Sequence, residues 1–287
     1  MRYVFMRFPE GKAKAVTLSY DDNTVDNKRF SDIITEYGLK CTFNLNSQKS
    51  NKMFGNMLNN EEIKEYIIDR GHEIAVHGAF HKANGIVRPV EGIRDVLACR
   101  LEFEKNYGRI IRGMAYPDSG ITKFLNTSDY ETIKTYLKSL DIVYSRTLGE
   151  DNRKFNMPLD WHAWMPTVHH NNPKSREIAQ EFVNLDISSN YIAGQESRLF
   201  YMWGHAYEFG RTGDWELLYD LCDILAKHND IWYATNMDIY EYAKAYESLV
   251  WSADSSLVYN PTLFKIWFDV DGIPYSIKSG ETRRIED

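Results

Sequence analysis

Cysteine, basic excess and long apolar runs are all scarce in this 287-residue chain. Its three cysteines, Cys41, Cys99 and Cys222, are odd in number and far apart. That excludes a disulfide framework and a Cys-x-x-Cys metal site, and leaves reduced, buried thiols as the default. Lys and Arg number 34 against 41 Asp and Glu, and a net charge of −7 offers no broad attraction to nucleic-acid phosphates or an anionic membrane surface. No apolar run approaches the roughly 18 residues that a spanning helix needs, and the opening MRYVFMRFPEGKAKAV lacks the apolar stretch of a secretory leader. The expectation is a cytoplasmic protein, or a secreted one if a leader has been removed. Low-complexity tracts and Pro/Ser-rich linkers are also missing. What is present is 43% hydrophobic residues, enough to bury the core of one large domain or two small ones, so disorder is excluded.

The hydrophobic pattern alternates between strand-like and helix-like segments. AVTLSYDD precedes VDNKRFSDIITEYG, KCTFNLN precedes NEEIKEYIIDRG, and EIAVHG precedes a helical stretch over about 90–106. IIRGMAYP, IVYSRTL, WMPTVH, RLFYMWGH and IWYATN continue the series, with helical runs after most of them. Such alternation predicts parallel pairing through right-handed crossovers, and seven or eight units suit an α/β fold, a distorted (β/α) barrel of about seven strands. A doubly wound open sheet is the alternative. Asn60 with Glu61 and Glu62 reads as a helix start, Gly38 and Gly71 as helix ends, and Ser128 with Glu131 as a capping box. Beyond about residue 251 the pattern changes to short strands around an Asp271-Gly272 turn. We therefore expect a barrel over 1–250 and a small β-rich extension over 251–287 packed on it.

In barrels of this kind chemistry gathers at the C-terminal ends of the strands. There the sequence places Asp21 and Asp22 on the first strand, His77 on the third with His81 just beyond, Tyr116 on the fourth, His169 on the sixth and His205 on the seventh. The i,i+4 spacing of His77 and His81 puts two imidazoles on one side of a turn, as a metal ion requires, although a solvated or capping pair has the same spacing. Consecutive strand residues diverge, so one carboxylate of Asp21-Asp22 can ligate a metal while the other faces a substrate. Two His and one carboxylate leave coordination positions open for water.

These blocks resemble the metal-dependent polysaccharide deacetylases of carbohydrate esterase family 4, the NodB-homology domain. Leu18-Ser19-Tyr20-Asp21-Asp22-Asn23 is similar to that family's T-F-D-D-G strand end, and Gly71-His72-Glu73-Ile74-Ala75-Val76-His77-Gly78-Ala79-Phe80-His81 to its G-H-E-I-x-x-H-S/T-x-x-H run. RGMAYPDSG (112–120), Asp160-Trp161 and LFYMWGH (199–205) resemble the remaining three motifs, over about residues 13–240. The resemblance implies Asp21 as general base, Asp22, His77 and His81 as ligands of a divalent metal, and His205 as general acid. It further implies Arg112 as partner of the base, a backbone N–H near Tyr116 as oxyanion donor, Asp160 as the residue that tunes the acidic His, and Trp161 as a wall of the acetyl pocket. Asn23 replaces the motif's Gly and Gly78 its Ser or Thr, the latter removing a hydroxyl from the ligand loop.

Aromatic residues make up 14% of the chain, and Trp161, Trp164, Trp203, Tyr207 and Trp215 fall near strand ends, where they line a carbohydrate groove or simply fill core. Glu208 is a candidate for substrate hydroxyls; His169-His170 reads as a loop pair, and His72 as structural. The function expected is hydrolysis of N- or O-acetyl groups from a sugar or oligosaccharide, with zinc as first choice of metal and cobalt, nickel or manganese as alternatives. Two rivals remain: hydrolysis of a non-sugar amide or ureide at the same site, and a catalytically silent carbohydrate-binding relative.

Overall fold

A computed structural model describes residues 1–48, 56–149 and 152–286. Its strands are β1 (Val4–Arg7), β2 (Lys14–Asp21), β3 (Cys41–Leu45), β4 (Glu73–Val76), β5 (Gly113–Ala115), β6 (Tyr144–Arg146), β7 (Val168–His169), β8 (Arg198–His205), β9 (Ile231–Tyr233), β10 (Val250–Trp251), β11 (Leu257–Tyr259), β12 (Ile266–Val270), β13 (Ile273–Ile277) and β14 (Thr282–Arg284). The α-helices are α1 (Asp26–Glu36), α2 (Asn60–Ile63), α3 (Pro89–Tyr107), α4 (Tyr130–Ser139), α5 (Ser175–Val183), α6 (Ala206–Thr212), α7 (Glu216–Leu225) and α8 (Asn236–Glu247). No helix among the described residues is long and apolar enough to cross a membrane.

Seven parallel strands in the order β6-β5-β4-β3-β2-β8-β7 form a curled sheet flanked by helices, the distorted barrel expected, and β9 pairs with the first residues of β2. One extended stretch brings the two edges together: Trp164 pairs with β6 through Ser145 and Thr147, and Val168 and His169 pair with β8. All eight residues of β2 are buried, as parallel strands covered on both faces require. Alternation sorts them. Val16, Leu18 and Tyr20 join the core under the helices, whereas Ala15, Thr17, Ser19 and Asp21 share the inner side, with Ala15 packed near Leu199, Tyr201 and Trp164. The interior therefore grades from apolar at the strand starts to polar at their ends. Register then sets the site, because Asp21 lies level with His205 on β8 and with Asn44 on β3.

The region beyond 250 supplies β10 to β14, and β12 and β13 form a hairpin whose Asp271 (φ 51°) and Gly272 (φ 83°) take the left-handed pair of a type I′ turn. β1, which the sequence pattern did not single out, pairs with β12. Tyr242 of α8 fastens this sheet: its hydroxyl donates to the Arg7 carbonyl at 2.7 Å and accepts from the Trp267 N–H at 2.9 Å.

Two helix starts differ from the expected ones by a single residue. Asn59, not Asn60, caps α2 in a reciprocal box with Glu62, and the helix widens into a π-turn over Lys64–Ile68. Asp129, not Ser128, caps α4 by accepting the Thr132 N–H at 2.8 Å; Ser128 instead donates to the Val87 carbonyl. Asp reaches the third N–H of a helix from the N-cap as readily as Ser does, so adjacent candidates compete. Asp129→Ala is expected to lower the Tm of a thermal melt by a few degrees and Glu131→Ala to leave it unchanged; equal effects would restore the Ser128 box.

Candidate active site

Asp21 closes β2 with its carboxylate buried, 2% exposed, and its neighbours meet it from four strands. Asn44 Nδ2 donates to Oδ1 at 2.9 Å, and the Arg146 guanidinium at the end of β6 donates to Oδ2. His77 Nε2 and His205 Nε2 stand 3.9 and 4.0 Å from the same Oδ2. Burial alone would raise the Asp21 pKa, but Arg146, then His77 and His205, outweigh it and hold the carboxyl below its usual value. It is an ionised carboxylate.

Asp22 turns away. It adopts φ 66°, a left-handed conformation that Asp tolerates, and its backbone is pinned by Asn44 and Asn27. Both carboxylate oxygens are buried and accept no hydrogen bond, and burial pushes the group up to about 7. His81 Nε2 lies 3.9 Å from Asp22 Oδ1. His77 Nδ1 donates to the Ala115 carbonyl at 2.9 Å, which leaves Nε2 unprotonated and aimed inward. Burial drives His77 down to about 3 and lowers His81 too, so both imidazoles are neutral, the state a metal ligand needs. One ligand atom from each of Asp22, His77 and His81 lies within 4.8 Å of the other two.

His205 has the opposite charge preference. Burial would lower its pKa, but Glu208 and Asp21 raise it above the ordinary value. Glu208 Oε2 accepts from the His205 N–H at 3.1 Å and from Nδ1 at 3.3 Å, leaving Nε2 to face Asp21. His169 Nε2 and His170 Nε2 approach the same carboxylate at 3.3 and 3.4 Å. This second cluster has metal-like spacing too. However, His169 Nδ1 accepts the Asn171 N–H at 3.1 Å, so the proton sits on Nε2 and is donated to Glu208, which leaves no lone pair there for a metal. Thus the polar group beside His205 is Glu208, not Asp160. Asp160 instead caps the 3₁₀ turn at Trp161–Ala163 and accepts from Tyr130 and Lys134, both at 2.6 Å.

Three further expectations are corrected. Arg112 precedes β5 and pairs with Asp141 at 3.0 Å; with strand rise ~3.3 Å per residue it stands at the wrong end of that strand. Arg146 takes its place, fully buried, with its guanidinium 4.4 Å above the Trp203 ring. The Tyr116 N–H is donated to the Arg146 carbonyl at 3.0 Å and its hydroxyl to the His162 carbonyl, so neither is a free oxyanion donor. Trp161 packs against Trp164 and against Tyr240 and Lys244 of α8, not against the acidic pair. Trp203 does reach the site, edge-on to His169 with ring centres 4.6 Å apart. Tyr207 lies 5.0 Å from His205, ring centre to ring centre. Trp164 and Trp215 are buried core.

The family model described as polysaccharide deacetylase matches residues 9–136, so the family resemblance read from the sequence holds. No curated protein sequence matches the chain. Solved structures share the fold at low identity. A candidate polysaccharide deacetylase from Mycobacterium smegmatis is 17% identical, with TM-score 0.59, covering 86% of this chain and 96% of its own. The Xyl-CE4 domain of a multidomain xylanase from the hindgut metagenome of Trinervitermes trinervoides is 15% identical, with TM-score 0.51 and coverages of 81% and 92%. A family 4 acetyl xylan esterase from Clostridium thermocellum, solved with a cobalt ion, is 15% identical, with TM-score 0.50 and coverages of 79% and 91%.

Proposed function

We propose that this chain, a relative of the polysaccharide deacetylases over residues 9–136, hydrolyses acetyl groups from a carbohydrate in a metal-dependent reaction. The observation that carries the proposal is the pairing at the ends of β2 and β8: Asp21, its carboxyl held below the ordinary value, and His205, its imidazole held above its own, stand 4.0 Å apart beside the Asp22, His77 and His81 group. A buried carboxylate that accepts no hydrogen bond is costly, and Asp22 is such a group, so its surroundings fit a cation. Asp22, His77 and His81 would hold a divalent ion, with zinc the first candidate. When bound, such an ion polarises an acyl oxygen and acidifies water.

The protein's own groups supply the proton transfers. Asp21 accepts the proton of the attacking water, and Arg146 keeps it ionised until then. His205 delivers a proton from Nε2 to the departing amine or alcohol, while Glu208 holds Nδ1–H and so fixes which nitrogen works. Base and acid thus occupy opposite protonation states at one pH, the condition for bifunctional catalysis. Trp203, 8% exposed, packs behind this pair, with the Arg146 guanidinium 4.4 Å above its ring and the His205 ring centre 6.1 Å away.

The test is acetate release from N-acetylated chito-oligosaccharides and O-acetylated xylo-oligosaccharides, with zinc-loaded and chelated protein side by side. Release that is lost on chelation and returns with metal is the expected result. No release from either panel by protein that demonstrably binds zinc would favour a non-sugar amide substrate or a silent carbohydrate-binding protein.

A further inference from the structure

The loop that carries His77 and His81 is held by a residue from a distant helix. Asp95, on α3 and 4% exposed, takes three amides of that loop: its backbone carbonyl accepts the Ala79 N–H at 3.0 Å, its Oδ1 the Phe80 N–H at 2.7 Å and its Oδ2 the Lys82 N–H at 3.4 Å. Asn46 secures the opposite edge, its Nδ2 donating to the carbonyls of His77 and Gly78. The chain bends sharply between, with Gly78 at φ 73° and His81 at φ 54°. A Cβ on Gly78 would stand only 2.2 Å from Asp95 Oδ2, closer than any allowed contact, and a tight 3.2 Å from its Cγ. The carboxylate therefore fills the volume that a side chain at 78 would use, in the motif position where the resembling sequences carry Ser or Thr.

We infer that Asp95 is the positioning residue of the candidate metal-ligand loop, and that Gly78 and Asp95 work as a matched pair: the glycine vacates the space and the carboxylate orders the loop from within it. The inference rests on the reading of His77 and His81 as ligands. A loop of two imidazoles must present both nitrogens at fixed separation, and amides left without acceptors would let His81 swing. Outer-shell partners of this kind typically contribute about 10- to 100-fold to metal affinity.

The experiment is zinc titration by calorimetry, with thermal melts of the chelated full chain, for wild type, Asp95→Asn, Asp95→Ala, Gly78→Ala and Gly78→Ala/Asp95→Ala. We expect Asp95→Ala to weaken zinc binding about 10- to 100-fold, and Asp95→Asn, which keeps one acceptor, to weaken it less. Gly78→Ala should impair binding and melting strongly in the wild-type background and far less once Asp95 is removed, because only the cost of φ 73° remains. An unchanged zinc affinity in Asp95→Ala, or an equal penalty for Gly78→Ala in both backgrounds, overturns the inference while leaving the functional proposal standing. Failure of the wild type to bind zinc, cobalt, nickel or manganese overturns both. Should Asp95→Ala not fold, Asp95→Asn carries the affinity comparison, and a zinc affinity equal to wild type would overturn the inference.

Discussion

Asp21→Asn is expected to reduce acetate release about 10²- to 10⁴-fold in kcat, the usual contribution of a positioned general base, while zinc still binds with nearly wild-type affinity. The two halves of this result follow from separate geometry. Asn has the shape of Asp and can still pair with Asn44, but it cannot take a proton from water. The proposed zinc ligands all keep their side chains: Asp22 points away from Asp21 and its carboxylate has no hydrogen bond to lose, and His77, 3.9 Å from Asp21 Oδ2, keeps its bond to the Ala115 carbonyl. The substitution also leaves the Arg146 guanidinium buried without its counter-charge, so kinetics should be measured well below a Tm that will itself have fallen. The discriminating measurements are kcat from acetate release and a zinc Kd by calorimetry on the same preparation. Activity within tenfold of wild type would remove Asp21 from the role of base. Joint loss of activity and zinc binding would mean that Asp21 acts as a ligand.

The contrast between what was legible in the sequence and what was not follows the range of each interaction. Asp21, Asp22, His77, His81 and His205 all sit where apolar strands stop, and a polar residue that ends a buried parallel strand stands out in one dimension. Their assembly follows from parallel register, which aligns the C-terminal ends of β2, β3, β4 and β8. Arg146 obeys the same rule at the end of IVYSRTL, yet the described strand is three residues long, and a lone Arg after so short a run reads as a turn. Asking which cation could sit at a strand end would have found it. The motif RGMAYPDSG puts Arg112 near Tyr116 and Pro117 in sequence, whereas its side chain belongs to the other end of β5 and pairs with Asp141. The Asp-Trp dipeptide points to Asp160, but its partners Tyr130 and Lys134 come from α4, some 26 to 30 residues earlier. Glu208, by contrast, lies three residues after His205 in a local capping pair, which was visible in the sequence as an i,i+3 relation. Asp95 had no local signal at all, since it is one acidic residue in a mixed helix and only the tertiary fold turns it toward Gly78.

Arg146→Met should be the most destabilising single change at the site, by about 3–5 kcal/mol in the chelated protein at neutral pH, because it strands a buried carboxylate that was ion-paired. Met preserves much of the contact with Trp203, so the loss reports charge more than packing. The pH dependence has a definite sign. In the wild type the folded-state pKa of Asp21 lies below its unfolded value, so Asp21 contributes stability that is present above the unfolded pKa of about 3.9 and is lost as pH falls through the lower folded value. Without Arg146, burial is the dominant influence and the folded pKa moves above the unfolded one. The native variant then binds the proton more readily than the unfolded chain, and its stability is lost as pH rises. The gap in unfolding free energy between wild type and Arg146→Met must therefore be widest at neutral pH and narrow as pH drops toward 4. Urea unfolding of chelated protein at pH 7 and at pH 4.5 measures both. A gap that stays constant would assign the effect to lost packing on Trp203, and Arg146 would then be no more than a side chain stacked on that ring.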